Sequence, residues 1–317
     1  MRPVSASDLH VLAVMTVAWA VGLTGSSRVR HATAAGLGAL AYRLSRTKRA
    51  AMERALATAF GGALSAGAAR TVVRGALRET WLEVLGCYPT RADRAAVQDA
   101  EVRGLERLDA ALGAGRGAIL WESEGLGRRF LAKQILHARG YAVVQTHGPE
   151  HIGGLLARGP RTRVREAVIQ PFFDRRERPY LAGILHFPAS GTDLSFARTL
   201  LDRLRQNGIV CVAGDGRWAR KLARIDFLGH SVPFAPGSVS LARLAGAPLL
   251  PAFCSTGPGS RLRLSLEEPV PVDAGGDREA DARGALRRFA ALLEARIRAG
   301  PGAYRNWHRL AGDDEPA

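Results

Sequence analysis

The sequence predicts an α/β protein: a mixed sheet covered by helices, preceded by a helical N-terminal segment. Three observations carry that expectation. From about residue 99 onward, short apolar runs recur as strand candidates: Gly117-AILW, Tyr141-AVVQ, Gly183-ILHF, Gly208-IVCVAG, Ala247-PLLPAF and Arg261-LRLSL. Segments of helical character fill the gaps near 126–139, 193–206, 237–245 and 278–299. Between residues 28 and 86 the apolar spacing is helical instead.

Leu9 to Ser27 is 19 residues without a formal charge, bounded by Asp8 and Arg28. That is close to the roughly 20 residues a bilayer-crossing helix needs, although His10, Thr16 and the TGSS end weaken it. Arg28, Arg30 and His31 suit a cytoplasmic flank. Residues 1–27 therefore read as a membrane anchor or interfacial helix, with a buried helix of a soluble domain as the alternative. Arg follows where a signal peptide would carry a small-residue cleavage site.

Residues 28–98 read as helical. Ala34, Leu37, Leu40, Ala41 and Leu44 recur at helical spacing, as do Val72, Val73, Ala76, Leu77, Trp81 and Leu85 after the Gly61-Gly62 break. Arg-rich opposite faces suit a membrane surface, and a solvated helical hairpin would show the same pattern. Residues 99–310 form the α/β unit, with no linker inside it, and 311–317 are a tail.

With 47% apolar residues the chain can bury a substantial core. Its net charge of +16 favours an anionic partner: lipid headgroups, phosphorylated substrates or an acidic carrier protein. Lysine is limited to Lys48, Lys133 and Lys221, so the charge is almost all arginine. Nucleic acid is not expected, because no helix-turn-helix, RNA-binding or zinc pattern accompanies the charge. Cys87, Cys211 and Cys254 are odd in number and far apart. They suggest neither zinc nor a disulfide framework and fit a reducing compartment.

Four places carry candidate chemistry. In Gly115-RGAILWESEGLGRR the strand ends at Glu122, Ser123 and Glu124. If the strand continues through residue 124, both glutamates face one side, and close carboxylates raise each other's proton affinity enough for one to act as a base. The local reading is an N-cap at Ser123, Glu124 in a first helical turn, and Arg128 or Arg129 pairing with either glutamate. Asp215 follows the apolar run Gly208-IVCVAG, a common position for ligand contacts in α/β sheets. The basic loop with Arg217, Arg220, Lys221 and Arg224 suits a phosphate or an acidic carrier, or is simply solvated.

In Val232-PFAPGSVSLARLAGAP, Gly237 and Ser238 open a helix whose amides suit an anion or oxyanion, and a plain cap explains them equally. Thr146-HGPEHIGG places His147 and His151 after a strand. Pro149 breaks the helical spacing a metal pair would need, so a displaced catalytic histidine, a cleft-lining role and an ordinary loop remain open.

The order of parts from Gly208 to Phe253 resembles the lipid A biosynthesis (lauroyl/myristoyl) acyltransferases, a branch of the lysophospholipid acyltransferase superfamily. The apolar strand ending on Asp215, then Asp226-FLG, Val232-Pro-Phe, the Gly-Ser helix start and the strand at Pro248 carry the likeness. The closing Pro301-GAYRNWHRL is similar to that family's terminal segment. The resemblance implies a glycerolipid-acyltransferase-like sheet at the cytoplasmic face of a bacterial inner membrane. It also implies acyl transfer from acyl carrier protein or a coenzyme A thioester to a lipid or glycolipid, contact with anionic membrane lipid, and no metal or prosthetic group.

One departure stands out. The family carries a base histidine at the first strand end, with Asp or Glu five positions later, and here Ser123 and Arg128 occupy those places. The sole His-x4-acid spacing, His308 to Asp313, lies at the tail after no strand. The expectation is therefore that Glu122, Glu124 and Asp215 are catalytic. Ser123, Arg128, Arg129, His147, His151, Arg217, Phe234, Gly237 and Ser238 are expected to contact substrate. The alternative is a relative that binds lipid or acyl chains without transferring them.

Overall fold

The structure is a computed structural model, and it describes residues 3–86, 88–89, 91–147, 162–187, 195–216, 221–256, 261–272 and 276–310. Five helices open the chain: α1 (Ala6–Leu23), α2 (Ser27–Leu44), α3 (Arg46–Ala59), α4 (Ala66–Leu85) and α5 (Arg91–Gln98). A reciprocal capping box starts α1. The Ser5 hydroxyl accepts from the Asp8 amide, and the Asp8 carboxylate accepts from the Ser5 amide.

The α/β unit follows as β1 (Glu101–Arg103), α6 (Leu105–Gly113), β2 (Ala118–Glu122), α7 (Arg129–His137) and β3 (Val143–His147). A π-helical turn (Arg165–Ile169) runs into α8 (Gln170–Glu177), then β4 (Gly183–His186), α9 (Ser195–Arg205) and β5 (Ile209–Ala213). The chain continues through β6 (Ala223–Phe227), β7 (His230–Phe234), α10 (Gly237–Ala245), β8 (Leu249–Thr256), β9 (Leu262–Leu266) and α11 (Arg278–Ala299).

Seven strands make one sheet in the order β1-β9-β8-β2-β5-β3-β4. The run from β8 to β4 is parallel, while β9 pairs antiparallel with β8. The mixed sheet covered by helices is the architecture the sequence predicts. Alternation along each strand feeds two cores. Ile119, Trp121, Val210 and Val212 pack with α3, α4, α9, α10 and α11; Leu120, Cys211 and Val143 pack with α5, α6 and α7. Trp121 stacks on Phe289 of α11 with centroids 4.4 Å apart. Cys211 and Cys254 are buried free thiols, and burial pushes both up to about 12.

Three expectations need correction. Residues 223–234 form a β-hairpin outside the main sheet rather than a loop into a helix, with Phe227 paired to His230 across a two-residue turn. Leu228 and Gly229 take φ of 53° and 74° there, and the Glu294 carboxylate accepts from the Leu228 amide. A non-glycine residue in that region masks the usual turn signal. The helix expected over 126–139 begins at Arg129, because 123–127 form an irregular loop. Of the expected stripe on α2, Ala34 is buried but Leu40 and Leu44 are exposed.

Helix α1 buries Asp8, Val11, Val14, Ala18 and Val21 against its neighbours and leaves Leu9, Val17, Trp19 and Leu23 exposed. Among the described residues it is the one helix long and apolar enough to cross a membrane. The Asp8 carboxylate is fully buried, accepting from Thr162 and pairing with Arg165 at 3.2 Å.

Candidate active site at the carboxyl edge of the sheet

The connections leaving β2 and β5 run to opposite faces: α7 covers one, and the hairpin with α10 leads to the other. Neighbouring parallel strands that diverge in this way open a crevice at their carboxyl ends, the usual ligand position in such sheets. Ser123 and Asp215 meet there. The Ser123 hydroxyl donates to Asp215 Oδ2 at 2.6 Å and accepts from the amides of Gly125 and Leu126. Asp215 Oδ1 accepts from the Glu124 amide at 2.6 Å. Asp215 thus gathers the 123–126 loop as an N-cap gathers a helix start.

The C-terminal segment closes the loop from outside. The Arg305 guanidinium donates to the carbonyls of Glu124 and Gly127, and its amide donates to Gly125. Gly125 has to be glycine, since a Cβ there would stand 2.3 Å from the Tyr304 ring. Glu124 pairs with Arg309 at 3.2 Å. A small pocket is lined by Asp215, Phe227, Val232, Phe234, Tyr304, Asn306, Arg309 and Leu310. The structure therefore brings Asp215 and Phe234 together, with Glu124 reaching Arg309 of the same wall. Burial and the nearby Arg309 both push the Lys48 ammonium below the usual lysine range.

Glu122 goes elsewhere. It ends β2 on the α7 face, 2% exposed, with Arg129 Nε at 2.8 Å and Lys133 Nζ in direct contact. Burial alone would push its carboxyl up, but the charges and hydrogen bonds of Lys133 and Arg129 outweigh it and hold the group below the usual carboxylate range. Glu122 and Glu124 consequently do not act as a pair: the strand ends between them and each has its own cation. Arg128 leaves the crevice for Glu79 of α4 at 3.3 Å. Gly237 and Ser238 open α10; the Ser238 hydroxyl is buried without a hydrogen-bond partner among the described residues. His151 and Arg217 lie outside the described residues.

His147 ends β3 beside His186, which ends β4, with ring centroids 5.8 Å apart. Its Nε2 is 2.5 Å from Glu177 Oε2, at the last residue of α8. His186 Nε2 lies 3.3 Å from Asp174, and its Nδ1 lies 3.0 Å from Gln170. Sequence reasoning did not single out Asp174, Glu177, His186, Arg305 or Arg309. His186 was findable, because it ends an apolar run as His147 does.

No family model matches the chain. It is 31% identical over 183 residues to a phosphatidylinositol mannoside acyltransferase of Mycobacterium tuberculosis strain CDC 1551 / Oshkosh, covering 55% of this chain and 50% of that protein. The phosphatidylinositol mannoside acyltransferase of strain ATCC 25618 / H37Rv is 30% identical over 182 residues, with the same coverage of each. The match spans about half the length of these curated relatives. Both relatives are named as acyltransferases, and the likeness of this chain to them is distant and partial.

Proposed function

We propose that the protein moves a fatty acyl group from a thioester, carried on acyl carrier protein or coenzyme A, to a hydroxyl of a glycolipid at a membrane surface. The observation that carries this reading is the similarity to two acyltransferases over more than half of a chain whose sheet opens a crevice at the β2 and β5 ends. The reaction needs a site that excludes water, a donor for the oxyanion that develops on the thioester carbonyl, and a proton acceptor for the hydroxyl. The aromatic wall of Phe227, Phe234 and Tyr304 suits an apolar group, and Arg309 suits an anionic headgroup or carrier. Asp215 and Glu124 are the carboxylates we assign to this crevice, whereas Glu122 is committed to its two cations.

Exposed Leu9, Val17, Trp19 and Leu23 of α1, with Leu40 and Leu44 of α2, supply apolar surface for docking on the membrane. The net charge of +16 attracts anionic lipid to the same surface.

Incubating the purified protein with radiolabelled palmitoyl-coenzyme A or palmitoyl-acyl carrier protein, and vesicles containing phosphatidylinositol mannosides, tests the reading. Labelled lipid made only with protein supports it, and no product from either donor with that acceptor or with a bacterial lipid extract overturns it. A second reading, lipid binding without transfer, is favoured by one observation. Ser123 and Arg128 stand in the places of the family's base and acid, and both are engaged in internal bonds. Vesicle binding with no turnover of either thioester would select it.

A further inference from the structure

Helix α10 begins without a cap. Its N-cap position is Pro236, which offers neither a side-chain acceptor nor an amide, and no other side chain takes that role. The Ser240 amide donates to the Pro236 carbonyl, so the amides of Gly237, Ser238 and Val239 are left without an acceptor among the described residues. Gly237 is exposed, and a Cβ on it would meet nothing within 4 Å, so the turn is open to a ligand.

A separate observation concerns a side chain. Ser238 is 4% exposed, and its hydroxyl finds no partner among the described residues. It shares a helix face with buried Leu241 and Ala242, so it points toward the sheet, and the tilt of its Cα–Cβ bond carries it to the helix start. A buried hydroxyl left unbonded is costly, whereas a ligand oxygen held at this turn would accept from it. No preceding helical turn blocks the χ1 rotation that brings the hydroxyl to such an oxygen.

The fold sets this turn at the crevice edge of the sheet. The far end of α10 lies at the opposite edge: a Cβ on Gly246 would stand 3.6 Å from the Arg116 side chain, and Arg116 precedes β2. The helix is about 13 Å long, close to the roughly 16 Å of a strand such as β5, so its first turn reaches the level of the β2 and β5 carboxyl ends. The hairpin brings a cation to the same end. Its pairing stops at Ala223 and Phe234, and exposed Lys221 and Pro236 lie two residues beyond that pair on their two strands. No Asp or Glu occurs between Asp226 and Glu267. Donors without acceptors at the positive end of a helix dipole match an oxygen-rich anion rather than an apolar chain.

We propose that the first turn of α10, with the Ser238 hydroxyl and Lys221, binds a phosphate group. Two molecules of the acyl-transfer reading carry one: the phosphopantetheine arm of the thioester donor and the phosphatidyl unit of a glycolipid acceptor. The choice of these ligands rests on that reading, while the site itself does not.

Two binding experiments test it. Calorimetry compares phosphopantetheine with pantetheine, which differ by the phosphate alone. Sedimentation compares digalactosyldiacylglycerol vesicles with and without phosphatidylinositol. The variants are Ser238→Ala, which removes a hydroxyl that bonds nothing in the protein, and Gly237→Asp, whose carboxylate would cap the amides and keep the helix. The wild type should prefer at least one phosphorylated probe by about tenfold or more, and Ser238→Ala should weaken that preference about tenfold. Gly237→Asp should abolish it with a urea midpoint at or above that of the wild type. Lys221→Gln should cost about threefold, an effect that fades at high salt. Losses confined to phosphopantetheine assign the turn to the donor, and losses confined to the vesicles assign it to the lipid. A wild type that binds the members of both pairs equally, or variants that keep its preference, overturns the site. A wild type with the preference and the expected losses that transfers from neither thioester overturns the acyl-transfer reading and leaves the phosphate site standing.

Discussion

The ends of β2 and β3 are the same structural position furnished with different partners. At β2, every polar side chain is tied into the protein: Glu122 to Lys133 and Arg129, Ser123 to Asp215, Glu124 to Arg309, and Arg128 to Glu79. At β3, an imidazole and a carboxylate face each other at partly accessible positions. The crevice made by the sheet is common to both. At both ends neighbours engage the ionisable groups, and a carboxylate between two cations, as at β2, is a weak base.

That contrast can be broken at β2, where Glu122→Gln has the largest expected effect. It would leave Lys133 and Arg129 as buried charges without their carboxylate, a loss of about 3–5 kcal/mol in urea unfolding. Adding Lys133→Met should recover part of it. A variant as stable as the wild type would mean that the triad does not hold the α7 face.

Next come the variants of the loop itself. Asp215→Ala removes the acceptor for the Ser123 hydroxyl and the Glu124 amide, which should cost about 1.5–3 kcal/mol. Gly125→Ala forces the Tyr304 ring away and should cost about 1–3 kcal/mol. Both should lower the urea midpoint while leaving far-UV circular dichroism in place.

A smaller effect sharpens the comparison through pH. Glu122 has its folded value held below its unfolded one of about 4.3. Its stabilisation is present above that unfolded value and is lost as pH falls through the folded value. Wild-type stability should therefore drop on acidification below about pH 4, and Glu122→Gln should flatten part of that drop. Equal slopes in the two proteins would remove Glu122 from the acid transition. The smallest effect concerns the surface. Trp19→Ser should weaken binding to anionic vesicles by roughly 5- to 30-fold, read by sedimentation, since one exposed apolar side chain contributes about 1–2 kcal/mol.

The strands were legible as apolar runs, with two exceptions that have physical causes. β1 is three residues long and partly exposed, so it has no run to detect. The hairpin alternates Arg224 and Asp226 with Ile225 and Phe227, and its turn uses Leu228-Gly229 rather than an Asn-Gly or Asp-Gly pair. The candidate residues were legible because they end strands, yet their partners were not. Ser123 meets Asp215 across 92 residues, and His147 meets Glu177 across 30.

The sequence by itself determined the alternation of strands and helices, the apolar N-terminal helix, the basic charge and the placing of Glu122, Ser123 and Glu124 at a strand end. Those are properties of period, composition and order along the chain. Only the tertiary structure decided that Glu122 and Glu124 part company, that Asp215 gathers the loop, and that two histidines stand side by side with carboxylates from a single helix. The reason is that a side chain's chemistry is set by the charges within a few ångströms of it, and strand order places those charges there from positions the sequence keeps far apart.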